Sequence, residues 1–496
     1  MLDYSESWAR LTTAMVTLSG GHKSAIERVV SPGRARFDLA TRSKLSRDDG
    51  IRPPALWGLG GRTVADGIVW PESEQQLVDL VRLARAEGIP LVPRGGGTAA
   101  SGGAVPADGG LVVDLSRLSG LAKPHADVAD GQDEVVVDVL AGTVWTSLAA
   151  ALAPAGLAPR LYPGSAPFST VGGWLAQGGA GIGSFAFGWF DQNVVGARLV
   201  DDEGRIHALS GIDLDGVSEA QGTTGIITHV RLKVRPASPI STVAIAFPDP
   251  ASLAEALHLA TLRELPVWSV SFVDPNGARS INAVRYAGET QQLPADAFVA
   301  LLATPEVDRE LARLGLLRIT RVTGGRWLSP ALAQREWAAR CRPLRLQRHG
   351  HATAPADVVV PTPALAAMLH DLQRTFPRGM TIEGTVVRGG DTVLRAYLDP
   401  AEPGARAGLG LGFALRVIGL AARHGGRGLT TGRYFGPLAN AILGAQRVEL
   451  IREMRAWQDP AGIFNPGKVV FDNRGLGLAV QLAAHVPHAR ASNSTS

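Results

Sequence analysis

The chain has 496 residues, too many for one ordinary hydrophobic core, so its length predicts at least two lobes. Hydrophobic residues make up 45% of the sequence, which is enough to bury a core and excludes an intrinsically disordered chain. The formal charge of +4 is small and the arginines are scattered, which argues against a nucleic-acid-binding face.

Redox and targeting signals exclude further classes of protein. Cys341 is the single cysteine, so the chain cannot form an internal disulfide or ligate an iron–sulfur cluster with its own cysteines. The N-terminal stretch is too polar for a secretory signal peptide, and no apolar run is long enough for a transmembrane segment. We therefore expect a cytoplasmic protein.

After a lead-in over residues 1–60, which we expect to be irregular or helical, strand and helix patterns alternate. Apolar residues recur at spacings of three and four between residues 77 and 84, which predicts a helix with one apolar face. Pro71 suits its first turn and Gly88 suits its end. The segment "VVGARLVDDEGRIHALSG" predicts a hairpin, and "GIITHVRLKVRP" predicts a half-buried strand.

The sequence pattern changes over residues 237–425, where helical segments alternate with short strands, and this predicts a second, α+β lobe. Helices are expected at "SLAEALHLATLREL", at "PADAFVALLA" and over residues 406–424, with a strand at "WSVSFVD" and another through "VVRGGDTVLRAYL". Residues 426–474 end with "WQDPAGIFNPGKVVF", which we interpret as a segment that returns to the first lobe. Residues 475–496 are expected to form a flexible, solvated tail.

The strongest local motif is "PRGGGTAASGG" over residues 93–103, directly after the strand pattern "GIPLV". Three consecutive glycines are costly to order, so the backbone there must approach a neighbour closely or adopt positive φ. The bare amides of residues 95–98 can form a concave site for a diphosphate, with Arg94 as an added charge. A tight turn without a ligand is the alternative. A strand pattern follows instead of a helix, unlike a Rossmann fingerprint.

Two further glycine-rich segments follow in the same lobe. In "YPGSAPFSTVGGWLAQGGAGIGSFAFG", residues 162–188, Ser169 and Thr170 precede a helix-like stretch whose amide end can face another part of the same ligand. In "QGTTGIITHV", Gly222 and Gly225 can present main-chain groups to a nucleotide. The alternatives are a buried glycine-rich loop and a bulged strand, respectively.

The four segments "GIVWPESEQQLVDLVRLARAEGIPLVPRGGGTAASGG", "YPGSAPFSTVGGWLAQGG", "QGTTGIITHVRLKVRP" and "DPAGIFNPGKV" occur in an order that resembles the vanillyl-alcohol oxidase / p-cresol methylhydroxylase (PCMH) type of flavoprotein. The resemblance is strongest to the glycolate oxidase and D-lactate dehydrogenase branch, with alkyldihydroxyacetonephosphate synthase as a cousin. It covers residues 50–236 and 457–470 well, and the middle of the chain loosely.

The resemblance implies an α+β fold, in which two subdomains over residues 61–236 clasp FAD and an α+β cap over residues 237–425 covers the flavin. It implies noncovalent FAD, because the first loop lacks the histidine or cysteine that bonds the flavin in some relatives, and His125 lies outside the motif. The implied cofactor contacts are Arg94, Gly95, Gly96, Gly97, Thr98, Ser101, Gly102, Pro163, Gly164, Ser165, Thr170, Gly172, Gly173, Gly222, Gly225, Ile227, Asn465 and Lys468.

The sequence departs from the hydroxy-acid branch where catalysis is expected. "LTTGRYFG" replaces the segment that carries a Glu-His pair, and "GTVVRGGDTVLRAYL" replaces the cap region with its metal-associated histidines. We therefore predict no metal site. We predict Arg433 and Tyr434 as a base or orienting pair, and either Arg388 or Arg395 as a clamp for a carboxylate or phosphate. If Arg388 and Arg395 lay on one regular strand, their side chains would point to opposite faces, so only one of them could face the flavin. Further candidates are His349, His351 and His424.

The resulting hypothesis is an FAD-dependent oxidoreductase, a dehydrogenase rather than an oxidase, that oxidises a small anionic hydroxy compound by hydride transfer to flavin N5. One cysteine cannot ligate a cluster, so the electron acceptor would be separate, and an iron–sulfur or other electron-transfer subunit is a candidate partner. Two alternatives stay open: a non-redox synthase of the alkyldihydroxyacetonephosphate synthase type, and a catalytically degenerate flavin-binding subunit.

Overall fold

The computed structural model describes residues 17–50, 62–129, 131–283, 291–341, 356–377, 379–398 and 410–469. Within these ranges the strands form three sheets, two in the first lobe and one in the cap lobe. This mixed α+β architecture with a separate cap confirms the predicted fold class. No helix in the described ranges is long and apolar enough to cross a membrane.

The first sheet includes part of the segment predicted as a lead-in. Its strands are β1 (Ala35–Arg36), β2 (Gly67–Val69), β3 (Leu91–Arg94) and β4 (Leu111–Asp114), in the order β1-β2-β4-β3. The accompanying helices are α1 (Gly20–Val29), α2 (Leu39–Leu45) and α3 (Glu74–Glu87). β2, β4 and β3 run parallel, whereas β1 pairs antiparallel with β2.

Helix α3 confirms the helix predicted from apolar spacing. Its buried face includes Leu77, Leu80 and Val81, which pack into the core beside the first sheet. The helix begins after Ser73, whose hydroxyl accepts a hydrogen bond from the Gln76 amide, slightly later than Pro71 suggested. It ends as predicted at Gly88, which adopts a left-handed φ of 62°.

The second sheet completes the first lobe. Its strands are β5 (His125–Ala129), β6 (Gln132–Leu140), β7 (Leu157–Pro159), β8 (Val194–Val200), β9 (Ile206–Ser210) and β10 (Ile226–Pro236). The helices between them are α4 (Trp145–Leu152), α5 (Val171–Gln177) and α6 (Ser184–Phe187). The path β5-β6-β10-β8-β9 is antiparallel, with β7 also paired to β10. The predicted hairpin (β8 and β9) and the strand at β10 are confirmed, although β10 is mostly buried instead of half-buried because it lies inside the sheet between β6 and β8.

The cap lobe is built on one antiparallel sheet of eight strands with the order β14-β11-β13-β12-β16-β17-β15-β18. These strands are β11 (Ile240–Phe247), β12 (Ser269–Val273), β13 (Phe298–Pro305), β14 (Arg326–Trp327), β15 (Ala356–Pro361), β16 (Met380–Val387), β17 (Asp391–Leu398) and β18 (Arg427–Gly428). Its helices are α7 (Pro250–Leu262), α8 (Pro275–Ala283), α9 (Arg309–Thr323), α10 (Pro330–Ala338), α11 (Leu365–Thr375) and α12 (Gly410–Arg423).

Two sequence-based predictions in the cap are wrong. The segment "PADAFVALLA" contains strand β13 instead of a helix, because a short apolar run fits a fully buried central strand equally well. The segment "VVRGGDTVLRAYL" is a hairpin of β16 and β17 instead of one strand. Gly389 and Gly390 form its turn with φ values of 94° and 96°, which glycine adopts readily.

The C-terminal segment returns to the first lobe. After helices α13 (Ala439–Leu443) and α14 (Ala445–Gln458), the Leu91 amide of β3 donates to the Ile463 carbonyl at 2.8 Å. The Asn465 amide donates back to the Leu91 carbonyl at 2.7 Å. The Asn465 side chain donates to the Gly103 and Gln221 carbonyls at 2.9 and 2.6 Å. Asn465 therefore ties two glycine-rich loops together. The predicted tail, 475–496, lies outside the described residues.

We expect Asn465→Ala to lower the melting temperature of the protein by several degrees. The variant loses two buried hydrogen bonds to carbonyl groups, about 2–4 kcal/mol in total, and alanine tolerates the φ of 39° less well than asparagine. Thermal unfolding of the purified protein measures this change. Asn440→Ala, an exposed position on α13, is the control and should leave the transition unchanged; equal melting temperatures for both variants would contradict the role of Asn465.

Candidate active site

A cavity of about 350 Å³ lies between the two lobes. The first lobe contributes the loop after β3, helix α5 and the segments around residues 163–165, 178–182 and 221–227. The cap contributes one face of β12, β13, β16 and β17, together with the end of α10. The two walls differ in chemistry, since the first is mostly glycine backbone and the second carries side chains.

The glycine loop after β3 packs directly against the loop before α5. A Cβ atom on Gly96 would lie 1.9 Å from the carbonyl oxygen of Phe168, and one on Gly95 would lie 2.4 Å from Oγ1 of Thr170. Gly97 adopts a φ of 65°, which L side chains rarely adopt. Gly95 and Gly96 are therefore required by the contact between the two loops, and Gly97 by its positive φ; all three line the cavity with bare amides.

Helix α5 begins at this contact, as predicted. Thr170 caps the helix, and its hydroxyl accepts a hydrogen bond from the Gly173 amide at 3.3 Å. Gly172 packs against Ala141, where a Cβ would lie 2.5 Å from the alanine methyl carbon. Thr170, Gly172 and Gly173 all line the cavity, so the amide end of the helix borders it.

Two buried polar groups on the first-lobe wall lack a partner. The Ser169 hydroxyl and the Gln221 amide nitrogen make no hydrogen bond to any described residue, and both residues line the cavity. A buried polar group without a partner is costly, so these groups favour a polar ligand. Sequence reasoning assigned a ligand role to neither residue, although Ser169 was noted for its hydroxyl. Together with the bare glycine backbone they fit a long polar cofactor.

Most of the cofactor contacts implied by the resemblance come together around the cavity. The residues that line it are Gly95, Gly96, Gly97, Thr98, Pro163, Gly164, Ser165, Thr170, Gly172, Gly173, Gly222, Gly225 and Ile227. The predicted site residues that do not line it are Arg94, Ser101, Gly102, Asn465, Lys468, Arg433, Tyr434 and Arg388.

Arg94 lies beneath the glycine loop. One Nη of its guanidinium donates to the Arg47 carbonyl, and Nε lies 3.8 Å from the Asp114 carboxylate. A Cβ on Gly97 would lie 2.1 Å from the guanidinium, so the loop rests directly on this side chain. Burial lowers the pKa of Arg94, which the nearby carboxylates oppose. Arg94 thus supports the loop and does not line the cavity.

A buried group of charges holds the next part of the loop from behind. Lys468 donates to the Val105 carbonyl, and burial together with nearby Arg433 lowers the Lys468 pKa to about 7. Asp48 accepts a hydrogen bond from the Gly102 amide at 2.7 Å, and burial raises its pKa to about 6. Sequence reasoning missed Asp48, because nothing in "LSRDDG" indicates contact with a loop fifty residues later.

Arg433 and Tyr434 belong to this supporting layer. Arg433 donates to the Pro106 carbonyl, and a Cβ on Gly102 would lie 3.0 Å from both the Arg433 side chain and the Tyr434 ring. Both residues are buried and neither lines the cavity. Their catalytic role stays a prediction that this geometry does not support. Arg388 is exposed at the start of the hairpin turn, with its guanidinium 3.5 Å from the Ala186 carbonyl.

The cap wall carries a row of charged side chains across three strands. Glu383 on β16 is the cross-strand neighbour of Arg395 on β17, and Arg395 is in turn the cross-strand neighbour of Asp357 on β15. Nε and Nη2 of Arg395 donate to the two Asp357 oxygens at 2.7 and 2.8 Å. Glu383 and Arg395 line the cavity, and both are half-buried because they face it. Of the two arginines considered from the sequence, Arg395 is therefore the one inside.

The position of Glu383 beside these charges and its burial shift the pKa of its carboxyl group. Burial raises the pKa of this carboxyl to about 7, against the attraction of Arg395 and with added repulsion from Asp357. Asp357 in turn raises the pKa of Arg395, which stays a cation. A carboxyl with a pKa near neutrality that faces a cavity can exchange a proton with a ligand. Sequence reasoning missed Glu383, because its partner is set by strand pairing.

A second cation, Arg340, lines the cavity from the turn that follows α10. Nε of Arg340 donates to the Tyr162 hydroxyl at 2.9 Å, and its guanidinium lies 4.2 Å from the centre of the Trp337 ring. Burial raises the pKa of Tyr162, so the tyrosine stays neutral. The described residues that line the cavity include no histidine or cysteine. Nor do the described ranges contain a cluster of three or more His, Cys, Asp or Glu suited to a metal.

His424, named as a further candidate, lies in the cap away from the cavity, where its ring hydrogen-bonds Asp371 at 3.0 Å. His349 and His351 lie outside the described residues.

Comparison with known proteins identifies both lobes. Residues 65–210 match the family described as FAD binding domain, and residues 237–469 match the family described as FAD linked oxidases, C-terminal domain. The first-lobe wall and the cap wall of the cavity therefore belong to the two domains of a flavin-dependent oxidoreductase, with FAD as its cofactor. The chain thus contains both domains of the FAD-linked oxidases, which confirms the predicted flavoprotein resemblance, and its fold is similar to that of p-cresol methylhydroxylase.

Individual relatives are distant but extend over most of the chain. A mitochondrial D-lactate dehydrogenase [cytochrome] of Arabidopsis thaliana is 23% identical over 82% of this chain and 74% of its own length. The structure of an alkyldihydroxyacetonephosphate synthase has a TM-score of 0.72 at 18% identity, covering 90% of this chain and 85% of that one. p-Cresol methylhydroxylase with substrate bound also has a TM-score of 0.72, at 13% identity, covering 90% and 96%. These structural similarities establish the fold alone.

We expect Gly96→Ala to weaken FAD binding roughly tenfold or more, because the added methyl group must push apart two backbone segments. The variant should also melt at a lower temperature as apoprotein. The flavin absorbance that remains after dialysis, and titration of the apoprotein with FAD, measure the binding.

Gly164→Ala is the matched control for Gly96→Ala. Gly164 also lines the cavity, but no protein atom lies within 4 Å of the position of its added methyl group. The melting temperature of this apoprotein should equal that of the parent. The loop contact is refuted if the Gly96→Ala apoprotein is equally stable and retains its full FAD content.

Proposed function

We propose that the protein is an FAD-dependent dehydrogenase that oxidises a small hydroxy acid at its hydroxyl-bearing carbon. The observation that carries this proposal is the Glu383–Arg395 pair, a proton acceptor beside a cation on the cap wall of the cavity. Bound FAD would supply the hydride acceptor, at N5 of its flavin. The cavity wall built from glycine loops supports its noncovalent attachment, since no described lining residue is a histidine or cysteine.

Glu383 is the proposed base of the reaction. Oxidation breaks the C–H bond, whose electron pair leaves with hydrogen as hydride, and the O–H bond, whose proton passes to the Glu383 carboxylate. The product is the corresponding keto acid. A base works best when its pKa is close to the working pH, and burial brings the pKa of Glu383 to about 7. Glu383 thus takes the role that the Arg433-Tyr434 pair held in the sequence-based hypothesis.

Arg395 is the proposed ligand of the substrate carboxylate. It neighbours Glu383 across the strands, and a 2-hydroxy acid carries its hydroxyl on the carbon next to its carboxylate. Asp357 engages Nε and Nη2 of the guanidinium and fixes its plane. The described cations on the cavity wall are Arg340 and Arg395, and Arg395 already faces Asp357. This charge balance suits one carboxylate better than a phosphate dianion, which favours the hydroxy acid over the synthase alternative.

The electrons are proposed to leave to a separate acceptor. The single cysteine excludes a cluster ligated by cysteines of this chain alone, so the chain needs another protein or a small molecule to reoxidise the flavin. The Arabidopsis relative has a cytochrome in its name, which supports a dehydrogenase with a protein acceptor. An iron–sulfur or other electron-transfer subunit is an equivalent partner.

We expect Glu383→Gln to slow substrate-dependent flavin reduction by roughly 10²- to 10⁴-fold, because the amide cannot accept the proton. In the parent protein only ionised Glu383 is active, so the rate should fall about tenfold per pH unit below a pH of about 7 and level off above it. Anaerobic stopped-flow absorbance across this pH range measures both effects.

Glu336→Gln, a second carboxyl on the cavity wall, is the control and should keep the rate and its pH dependence. A Glu383→Gln variant that reduces its flavin at the parental rate would refute the assignment of the base.

We expect Arg395→Lys to raise KM for the hydroxy acid by roughly 10- to 100-fold, because lysine keeps the charge beside Asp357 but loses the planar fork that binds a carboxylate. Arg340→Lys, the same change at the other cation, should raise KM less. Steady-state kinetics with an artificial electron acceptor measure both values. A larger increase in KM for Arg340→Lys than for Arg395→Lys would contradict the proposal, because it would assign the substrate carboxylate to Arg340.

A further inference from the structure

We infer that the substrate carries a bulky apolar group, an aromatic ring or an alkyl chain of several carbons, on its hydroxyl-bearing carbon. This inference rests on the proposed function and specifies its substrate class. It depends on an apolar subsite of the cavity, which we define as Val273, Ile281, Leu293 and Val299.

The apolar subsite is one side of a small hydrophobic cluster. Leu293 and Val299 are fully buried in this cluster, while Val273 and Ile281 pack against it and stay half-buried. All four residues line the cavity. The half-buried residues therefore expose apolar surface toward the cavity, which an apolar substituent would remove from water.

The apolar subsite lies next to the proposed base. Val273 on β12 is the direct cross-strand partner of Glu383 on one side and of Val299 on β13 on the other. Neighbouring strands are about 4.8 Å apart, so a substituent on the reacting carbon reaches the subsite without a long linker. The order across the sheet is thus apolar on β13 and β12, then the base on β16, then the cation on β17.

Hydrogen bonds between side chains and the backbone hold the elements of the subsite in place. The Asn282 side chain donates to the Leu293 carbonyl and accepts from the Leu293 amide, at 2.8 and 2.9 Å. The Asp274 carboxylate accepts from the amides of Gly277 and Ile382 at 2.7 and 2.9 Å, which fixes α8 against β16. A preformed subsite loses little conformational entropy when it binds a ligand.

The chemistry of the subsite separates substrate classes. Each methylene group that it buries favours binding about fourfold. A second carboxylate on the substrate would lie among Val273, Ile281, Leu293 and Val299 without a partner, which is unfavourable. Lactate and glycolate would leave the subsite unfilled, whereas a 2-hydroxy acid with a phenyl or hexyl group fills it.

The test compares lactate, 2-hydroxyoctanoate and 3-phenyllactate, each as both enantiomers, in anaerobic flavin reduction by the holoprotein. We expect kcat/KM for the two bulky acids to exceed that for lactate by about tenfold or more. Lactate reduction that is as efficient as reduction by the bulky acids would overturn the inference and leave the proposed function intact.

Ile281→Asn tests the subsite directly, with Leu328→Asn as its matched control. Leu328 packs against the same hydrophobic cluster but does not line the cavity. We expect the preference for bulky acids over lactate to fall about tenfold in Ile281→Asn and to persist in Leu328→Asn. A preference that falls equally in both variants would overturn the inference.

A direct binding measurement separates failure of the inference from failure of the proposed function. If no hydroxy acid reduces the flavin, the proposed function fails. Calorimetric titration of the holoprotein with octanoate and with acetate then tests the subsite alone. Octanoate that binds about tenfold more tightly than acetate, with the difference lost in Ile281→Asn, supports the subsite. Equal affinities overturn it.

Discussion

The contact between two glycine-rich loops is the constraint on which the first-lobe wall of the site depends. Gly95 and Gly96 meet the segment from Phe168 to Thr170 so closely that a single Cβ atom would overlap backbone or side-chain atoms there. Because the glycine loop presents no side chains at the contact, its main-chain amides remain available to the cavity. Ser169 and Gln221 lie on the same wall, and the Ser169 hydroxyl and the Gln221 amide nitrogen have no partner among the described residues. The same glycine contact therefore packs the two loops together and leaves backbone amides available to a cofactor.

Charges divide into two layers around this contact. Behind the loop, half-buried Asp48 and buried Lys468 contact the Gly102 and Val105 backbone, and desolvation shifts the pKa of both groups. In front of it, Glu383 and Arg395 face the cavity from the cap sheet. The first layer supports the first-lobe wall of the cavity, and we propose that the second meets the substrate. A residue of the glycine motif can therefore support the loop without lining the cavity, as Arg94 does.

The sequence predicts what is encoded locally. The helix with Leu77 and Leu80 on its face, the glycine loops and the cap of α5 at Thr170 follow from spacing and residue type, and the structure contains them. Strand β13 and the β16–β17 hairpin were misread, because a short apolar run and two glycines permit more than one structure. The arrangement of side chains on the cap wall could not be predicted from the sequence, because Glu383 acquires Arg395 and Val273 as neighbours only through strand register.

The return of the C-terminal segment has a consequence for the order of folding. Leu91 exchanges backbone hydrogen bonds with residues 463 and 465, although the entire cap is translated between them. The first lobe therefore emerges from the ribosome with one side of β3 unpaired and with the carbonyls of Gly103 and Gln221 still unmatched by Asn465. Such long-range contacts form late, since a long loop must close before they form. The nascent first lobe, although it contains every glycine loop, should acquire its cofactor only after the cap has been synthesised.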